Sequence, residues 1–270
     1  MARVRNTNMK VVILAGGLGT RISEESHLKP KPMITIGEQP ILWHIMKYYS
    51  SFGFQDFVIC CGYKSHCIKE YFADYYLYRS DVTFDFSAEN RMTVHNNVAE
   101  PWRVTLVDTG LYAQTGARVK RVQKYIGDEP FMLTYGDGVS DVDLNALLQQ
   151  HQESGKTVTL TGIQPGGRFG VLDLGPSGTD IIGFREKAKE DGGWINGGFM
   201  VMQPEVFDYL ENQDNCILER KPMERLAADR KLGMYRHNGF WQCMDTQRDR
   251  GTLEYLWGNQ KAPWKRWEDE

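Results

Sequence analysis

A glycine-rich segment, LAGGLGTR at 14–21, is the part of the sequence whose residue types point most directly to chemistry. Successive glycines let main-chain N–H groups approach an anion without obstruction by Cβ atoms, so the segment predicts a phosphate-binding loop. Two familiar phosphate motifs are excluded. The dinucleotide fingerprint needs a glycine where Ile22 stands, and the P-loop needs a glycine where Arg21 or Glu24 stands.

Two cations accompany this loop, Arg21 within it and Lys31 ten residues further on. Lys31 lies between Pro30 and Pro32, and the two prolines restrict the backbone that carries its ammonium group. Two fixed cations beside a glycine loop suit the β- and γ-phosphates of a triphosphate, where they would stabilise charge on departing pyrophosphate. The alternative is a surface turn with two solvated charges.

Two acids that are distant in the sequence are candidates for a metal site, Asp137 in TYGDG and Asp245 in FWQCMDT. Asp137 follows a predicted strand, and ligands of open parallel sheets bind beyond the carboxyl ends of the strands. Mg²⁺ takes one or two protein carboxylates together with phosphate oxygens and water, so this pair is sufficient to hold it. The alternatives are ordinary turn chemistry for Asp137 and capping of the last helix for Asp245.

The elements that must position these residues alternate between buried strands and helices through residue 155. This alternation predicts a parallel sheet that is covered by helices on both sides. Strands are predicted at 10–15, 56–61, 104–108 and 131–135, and helices at 40–52, 66–76, 116–126 and 143–154.

The later part of the chain changes character, because its short apolar runs are separated by glycine and proline. Strands are predicted at 157–162, 170–174, 181–186 and 195–202, and helices at 204–211, 216–229 and 246–257. The predicted fold class is therefore α/β, with a Rossmann-like mixed, mainly parallel sheet flanked by helices and a small antiparallel extension. We expect a single domain with a first part (10–155), a second part (156–245) and a C-terminal helix and tail (246–270).

Composition excludes several functional classes. Hydrophobic residues make up 41% of the chain and charged residues 25%, as in ordinary globular proteins, so wholesale disorder is excluded. A net charge of -3 gives no basis for nucleic-acid binding, which relies on clustered Lys and Arg. No apolar run approaches the ~20 residues of a membrane span, and the first residues lack a secretory apolar core. We therefore expect no membrane partner, a cytoplasmic location and five reduced cysteines, none of which forms a C-x-x-C pair.

The sequence also resembles a known family. GGLGTR followed by KPKP is similar to the signature of the sugar-1-phosphate nucleotidyltransferases. Further segments are similar to the glucose-1-phosphate cytidylyltransferases within that family, and these segments are ILAGGLGTRISEES, PILWHIMKYYS, ICCGYK, ENR, TYGDGVSDVD, INGGFMV, GFWQCMDT and KAPWK. The resemblance extends from Lys10 to about Trp267.

This resemblance implies a nucleotide-diphospho-sugar transferase fold, with the nucleotide in the first part of the chain and the sugar in the second. It implies CTP and glucose 1-phosphate as substrates, and Mg²⁺ held by Asp137 and Asp245. The implied nucleotide-binding residues are Leu14, Ala15, Gly16, Gly17, Leu18, Gly19, Thr20, Arg118 and Gly136, and the implied sugar-phosphate-binding residues are Tyr135, Lys187, Asn196 and Gly197.

Two departures from the family pattern affect these expectations. Ala188 stands where family members have proline, so Lys187 is held less rigidly, and residues 111–114 are less polar than the pattern requires. For Arg118, the alternative to nucleotide binding is a position on a helix face that is exposed to solvent.

Several other possibilities stay open. The substrate pair could include UTP, dTTP or another sugar 1-phosphate, and the chain could be a non-catalytic sugar-nucleotide sensor. We expect a homo-oligomer. The Trp-rich end, Trp257, Trp264 and Trp267, would either cover a partner subunit or pack back on its own domain.

Overall fold

The structure, a computed structural model, describes residues 9–19, 28–87, 89–164, 170–174, 181–186 and 193–268. Its strands are β1 (Lys10–Leu14), β2 (Thr35–Ile36), β3 (Gln39–Pro40), β4 (Asp56–Cys61), β5 (Val82–Asp85), β6 (Arg91–Val94), β7 (Arg103–Asp108), β8 (Phe131–Tyr135), β9 (Gly138–Ser140), β10 (Val158–Ile163), β11 (Gly170–Leu174), β12 (Ile181–Glu186), β13 (Ile195–Asn196), β14 (Met200–Met202), β15 (Leu232–His237) and β16 (Trp241–Cys243). Its α-helices are α1 (Ile41–Ser50), α2 (Ser65–Ala73), α3 (Tyr75–Tyr78), α4 (Thr115–Arg121), α5 (Gln123–Ile126), α6 (Leu144–Ser154), α7 (Lys221–Ala228) and α8 (Gln247–Gly258), and Lys31–Met33 and Pro204–Tyr209 form 3₁₀ helices.

Eight strands of the described chain form one central sheet. Its order is β13, β10, β14, β8, β1, β4 and β7, and β15 pairs with β10 outside this path. The strands β8, β1, β4 and β7 run parallel, whereas β14 runs antiparallel to both β8 and β10. The mainly parallel sheet with an antiparallel extension confirms the predicted fold class.

Successive residues of β1 face two different hydrophobic cores, which shows that the sheet is covered on both sides. Val11 and Ile13 pack in a core that includes residues of α1 and α8. Val12 and Leu14 pack in a second core that includes residues of α4 and α7. Because both faces of the strand are buried, its sequence is a continuous apolar run rather than an alternating one.

The most apolar predicted strands agree closely with the structure. The bounds predicted for β4 and β8 are confirmed, and β1 ends one residue before the predicted end. The predicted helix over 143–154 is confirmed as α6, and the side chain of Asp143 caps it by accepting from the N–H groups of Asn145 and Ala146.

Other predicted elements differ from the structure. The helices predicted over 66–76 and 116–126 are each divided into two shorter helices. The strand predicted over 195–202 is interrupted, because Gly198 (φ 77°) and Phe199 (φ 45°) have left-handed backbone conformations. The helix predicted over 204–211 is a 3₁₀ helix, and the one predicted over 216–229 begins only at Lys221.

Several strands were not predicted at all. The central-sheet strand β15 is partly exposed along most of its length, so its sequence lacks a clear alternation of apolar and polar residues. The short strand β16 pairs with β9, and β5 and β6 form a separate two-stranded hairpin. None of the helices in the described ranges is long and apolar enough to span a membrane.

The Trp-rich end packs back on its own chain. Trp264 is fully buried, and its indole N–H donates to Nδ1 of His44 (3.4 Å). The other ring nitrogen of His44 lies 2.9 Å from the Ile36 carbonyl oxygen and donates to it, so the imidazole is neutral in this arrangement. Burial lowers the pKa of His44 to about 4, which is consistent with that assignment. Of the two possibilities for this segment, the structure therefore supports packing within the chain.

Candidate active site

A cleft of about 350 Å³ opens at the carboxyl ends of β1 and β8. The two strands are neighbours with Leu14 opposite Tyr135, so the loops that follow them meet at one edge of the sheet. The glycine loop and the start of α4 both line the cleft. The lining residues are Leu14, Ala15, Gly16, Gly17, Gly19, Lys31, Pro32, Ala113, Gln114, Thr115, Arg118, Tyr135, Gly136 and Asp137.

Lys31 connects the two predicted metal ligands. Its ammonium Nζ lies 2.6 Å from Oδ2 of Asp137 and 2.5 Å from Oδ1 of Asp245. The residue begins a 3₁₀ helix after Pro30, whose extended conformation (φ -65°, ψ 147°) directs the chain into the cleft. Only 8% of Lys31 is exposed, so its charge is compensated mainly by the two carboxylates rather than by water. The structure thus brings three of the four predicted catalytic residues together.

A short antiparallel pair of strands brings the two acids to the same place. Strand β9 follows Asp137 and pairs with β16, in the register Gly138 opposite Cys243. The N–H of Met244 donates to the carbonyl oxygen of Asp137 (2.8 Å), which fixes the chain next to Asp245. The two acids therefore share one location although they are far apart in sequence.

Asp245 does not cap the last helix, which was the alternative interpretation of this residue. The N-cap of α8 is Thr246, which forms a reciprocal capping box with Asp249. The Asp249 carboxylate also accepts from the N–H of Asp245 (3.1 Å). The side chain of Asp245 instead contacts Lys31, which lines the cleft.

The charge state of Lys31 follows from this arrangement. Burial alone would lower the pKa of the ammonium group. The Coulombic attraction and hydrogen bonds of Asp137 and Asp245 outweigh burial and raise the pKa above its ordinary value. The group is therefore a cation throughout the physiological pH range.

Arg118, on α4, connects the glycine loop to the loop that follows β7 through hydrogen bonds to both. It is 4% exposed, which excludes the solvated helix face that was one of the two expectations. Its Nη2 donates to the Gly16 carbonyl oxygen (2.8 Å), and a Cβ at Gly16 would collide with the guanidinium group. The further acceptors are the carbonyl oxygens of Cys61, Gly110 and Leu111 and the hydroxyl of Thr109.

The partners of Arg118 therefore differ from those expected of a residue that only binds nucleotide. Its guanidinium lines the cleft, yet its donors are directed at main-chain oxygens of two loops and of the end of β4. In this arrangement Arg118 shapes the wall of the cleft, and a direct contact with nucleotide stays a prediction.

On the opposite wall, Tyr135 and Asn196 form a hydrogen-bonded pair. The Asn196 amide nitrogen donates to the Tyr135 hydroxyl (3.1 Å), and its amide oxygen accepts from the N–H of Gly198 (2.9 Å). Gly197 lies next to them, and its carbonyl oxygen accepts from the Trp241 indole (2.7 Å). The structure therefore brings Tyr135, Asn196 and Gly197 together, and Trp241 supports this wall from behind.

The remaining predicted residues divide into two groups. Gly136 lines the cleft, and its N–H donates to the carbonyl oxygen of Leu14 (3.0 Å), whereas Leu18 is exposed. Thr20, Arg21 and Lys187 lie outside the described residues.

Sequence reasoning missed one charged residue near the cleft. Glu219 accepts hydrogen bonds from Tyr135 (2.5 Å) and Thr115 (2.6 Å), which both line the cleft. It lies in a segment that was predicted to be helical and carries no motif, so no local pattern indicated it.

Comparison with known proteins shows the family to which the chain belongs. The model of the nucleotidyl transferase family matches residues 10–262. The chain is 56% identical over 261 residues to a glucose-1-phosphate cytidylyltransferase of Salmonella typhi, covering 96% of this chain and 100% of that protein. It is 42% identical over 259 residues to a probable glucose-1-phosphate cytidylyltransferase of Bacillus subtilis, again covering 96% and 100%.

Solved structures with the same fold are more distant in sequence. A UDP-glucose pyrophosphorylase from Acinetobacter baumannii matches with a TM-score of 0.67 at 19% identity, covering 93% of this chain and 94% of that one. At this identity the similarity establishes the fold alone.

Removal of the Arg118 guanidinium should destabilise the fold. In Arg118→Met, four carbonyl oxygens each lose a hydrogen bond to the guanidinium, so we expect the free energy of unfolding to fall by about 3 kcal/mol or more. Urea denaturation followed by circular dichroism measures this change. The matched control is Arg103→Met, whose side chain is 79% exposed and should change stability by less than about 0.5 kcal/mol. Equal losses in the two variants would contradict the role assigned to Arg118.

Proposed function

Because this chain belongs to the nucleotidyl transferase family, we propose that it transfers the cytidylyl group of CTP to glucose 1-phosphate, forming CDP-glucose and pyrophosphate. The observation that carries the proposed chemistry is the convergence of Asp137, Asp245 and Lys31 beside the glycine loop. The choice of CTP and glucose 1-phosphate is supported by the relatives that are 56% and 42% identical over nearly the whole chain.

We propose that Asp137 and Asp245 hold Mg²⁺. The geometry fits a cation, because one oxygen of each carboxylate already converges on the ammonium of Lys31. Within the described ranges no group of three or more His, Cys, Asp or Glu side chains is arranged around a metal position. A two-carboxylate site of this kind suits Mg²⁺, whose other ligands are commonly phosphate oxygens and water.

When bound, this ion would polarise the phosphate oxygens and offset the negative charge that accumulates during transfer. The reaction itself is an in-line displacement. An oxygen of the sugar phosphate forms a bond to the α-phosphorus of CTP, and the bond from that phosphorus to the β-phosphate bridging oxygen breaks. Since the attacking phosphate is already an anion near pH 7, the chain needs no general base, and its residues act by positioning and charge stabilisation.

Lys31 has two alternative sets of partners in this proposal. Without substrate, its ammonium contacts both carboxylates and offsets part of the repulsion between them. When a triphosphate and its cation enter, the ammonium leaves the carboxylates for the β- and γ-phosphates and stabilises the departing pyrophosphate. A single flexible side chain can make this exchange because its charge is a compact point on a four-carbon stem.

The glycine loop supplies the space for the phosphates. A Cβ placed on Gly17 would meet no described atom within 4 Å, so the main chain there faces open cleft. We assign nucleotide binding to residues 14–20, Gly136 and the wall shaped by Arg118, and leaving-group stabilisation to Arg21 together with Lys31. We assign the sugar phosphate to Tyr135, Asn196, Gly197 and Lys187. Arg21 and Lys187 carry these roles on the strength of the sequence motifs alone.

We place the reaction in the cytoplasm, where reduced thiols are the norm, because Cys60, Cys61, Cys67, Cys216 and Cys243 are free. We further propose that the chain forms a homo-oligomer through the hairpin of β5 and β6. Phe84 and Phe86 on this hairpin are 54% and 80% exposed, and Met92 is also exposed. An isolated two-stranded hairpin is marginally stable in water, so a second copy of the chain packed on this face would stabilise it.

A pyrophosphate-release assay with glucose 1-phosphate tests the function across CTP, UTP, dTTP, ATP and GTP. We expect the highest kcat/KM with CTP, and a loss of at least about 100-fold in Asp137→Asn because one of the two metal-holding carboxylates is removed. The control is Asp128→Asn, which changes an exposed acid far from the cleft and should retain activity. Faster turnover with UTP or dTTP would contradict the cytidylyl assignment, and no turnover with any nucleotide would favour a non-catalytic sensor.

Light scattering after size-exclusion chromatography tests the oligomer. We expect the wild type to have a mass that is a multiple of 31.0 kDa, and Phe84→Ser/Phe86→Ser to have a smaller mass. Tyr255→Ser, which changes an exposed aromatic residue on α8, serves as the control and should assemble like the wild type. A wild-type mass of one chain would overturn the proposal.

A further inference from the structure

The carboxylate of Glu219 connects the two ends of the cleft. Its Oε1 accepts from the Tyr135 hydroxyl (2.5 Å), and its Oε2 accepts from the Thr115 hydroxyl (2.6 Å). Both bonds are short and have an anionic acceptor, so they are stronger than hydrogen bonds between neutral groups. We infer that Glu219 is a positioning residue that fixes the separation between the nucleotide end and the sugar end of the cleft, an inference that rests on the function proposed above.

At the nucleotide end, Glu219 belongs to a segment, residues 214–219, that is hydrogen-bonded to the start of α4. The N–H of Gln114 donates to the Asp214 carbonyl oxygen (2.8 Å), and that of Ala117 donates to the Cys216 carbonyl oxygen (3.1 Å). Thr115 participates twice, since its hydroxyl also accepts from the N–H of Leu218 (3.0 Å). Because residues 113–115 line the cleft, these hydrogen bonds set the position of this wall.

At the sugar end, Glu219 sets the orientation of Tyr135. The same hydroxyl that donates to Glu219 accepts from the Asn196 amide, so a continuous chain of hydrogen bonds runs from Thr115 to Asn196. The Tyr135 hydroxyl donates its single proton to Glu219, so its lone pairs accept from Asn196. Tyr135 is two residues before Asp137, so the same bond also restrains the strand end that carries a catalytic acid.

The chemistry of this connection requires a carboxylate. Two hydroxyl donors point at one side chain, and an ionised carboxylate offers acceptors on both oxygens. A glutamine at this position has one acceptor oxygen and one amide nitrogen, so one hydroxyl has to direct its proton elsewhere. Glu219→Gln therefore removes the charge and one of the two accepted hydrogen bonds while preserving the volume of the side chain.

A positioning role for Glu219 is distinguished from a merely structural one by measuring kcat and the KM for each substrate separately in the variants. We expect Glu219→Gln to raise the KM for glucose 1-phosphate about tenfold, because Tyr135 loses its fixed orientation, with a smaller effect on the KM for CTP. Tyr135→Phe should produce a similar increase. The double variant should be no worse than either single variant, since both changes remove the same bond. Glu224→Gln, which changes an exposed glutamate on α7, is the control and should match the wild type.

The outcomes separate this inference from the proposed function. If the wild type does not turn over CTP with glucose 1-phosphate, the proposed function fails and the inference fails with it. If the wild type is active and Glu219→Gln has both KM values within twofold of the wild type, the inference alone is overturned. Additive effects in the double variant would likewise overturn it. Circular dichroism of each variant at the assay temperature verifies that the changes in KM arise in folded protein.

Discussion

The pairing of one nearly buried ammonium with two carboxylates is the interaction on which the rest of this structure depends. A buried lysine is tolerated only where its charge is compensated, and leaving one member of such a cluster unpaired is costly. Lys31, Asp137 and Asp245 come from three separate segments, since Lys31 precedes Asp137 by 106 positions and Asp245 by 214. The fold must therefore hold three remote points of the chain within the length of a hydrogen bond.

The C-terminal helix and tail meet much of this requirement. The capping box at Thr246 fixes the start of α8 directly after Asp245. The side of the same helix holds the segment that follows Lys31, since Glu254 accepts from the N–H of Gly37 (3.0 Å). The buried Trp264 then ties the end of the chain to His44 on α1. The tryptophans that suggested a subunit interface thus pack within one chain, against the segments that carry Lys31 and Asp245.

The sequence was informative where a single local pattern decides the outcome. Apolar β-branched runs specified β1, β4 and β8, and the glycine loop and Asp137 follow β1 and β8 as the sequence predicted. Local patterns do not report contacts between remote side chains. The contact of Lys31 with the acids, the carbonyl oxygens that surround Arg118 and the bridge formed by Glu219 all depend on packing between distant segments. The partly exposed strand β15 was missed because a strand that is exposed on both faces lacks the alternation of apolar and polar residues that identifies a strand.

The central claim is that the two acids form a cation site that Lys31 occupies until the substrates enter, and binding of Mn²⁺ followed by electron paramagnetic resonance tests it most directly. The titration compares the wild type with Lys31→Met, Asp137→Asn and Asp245→Asn, each with and without a non-hydrolysable CTP analogue. The account predicts that Lys31→Met binds Mn²⁺ without nucleotide at least about tenfold more tightly than the wild type, because its two carboxylates are no longer neutralised. It also predicts that either Asn variant binds Mn²⁺ and the analogue more weakly than the wild type. Affinities that agree within twofold among all four proteins would contradict the account.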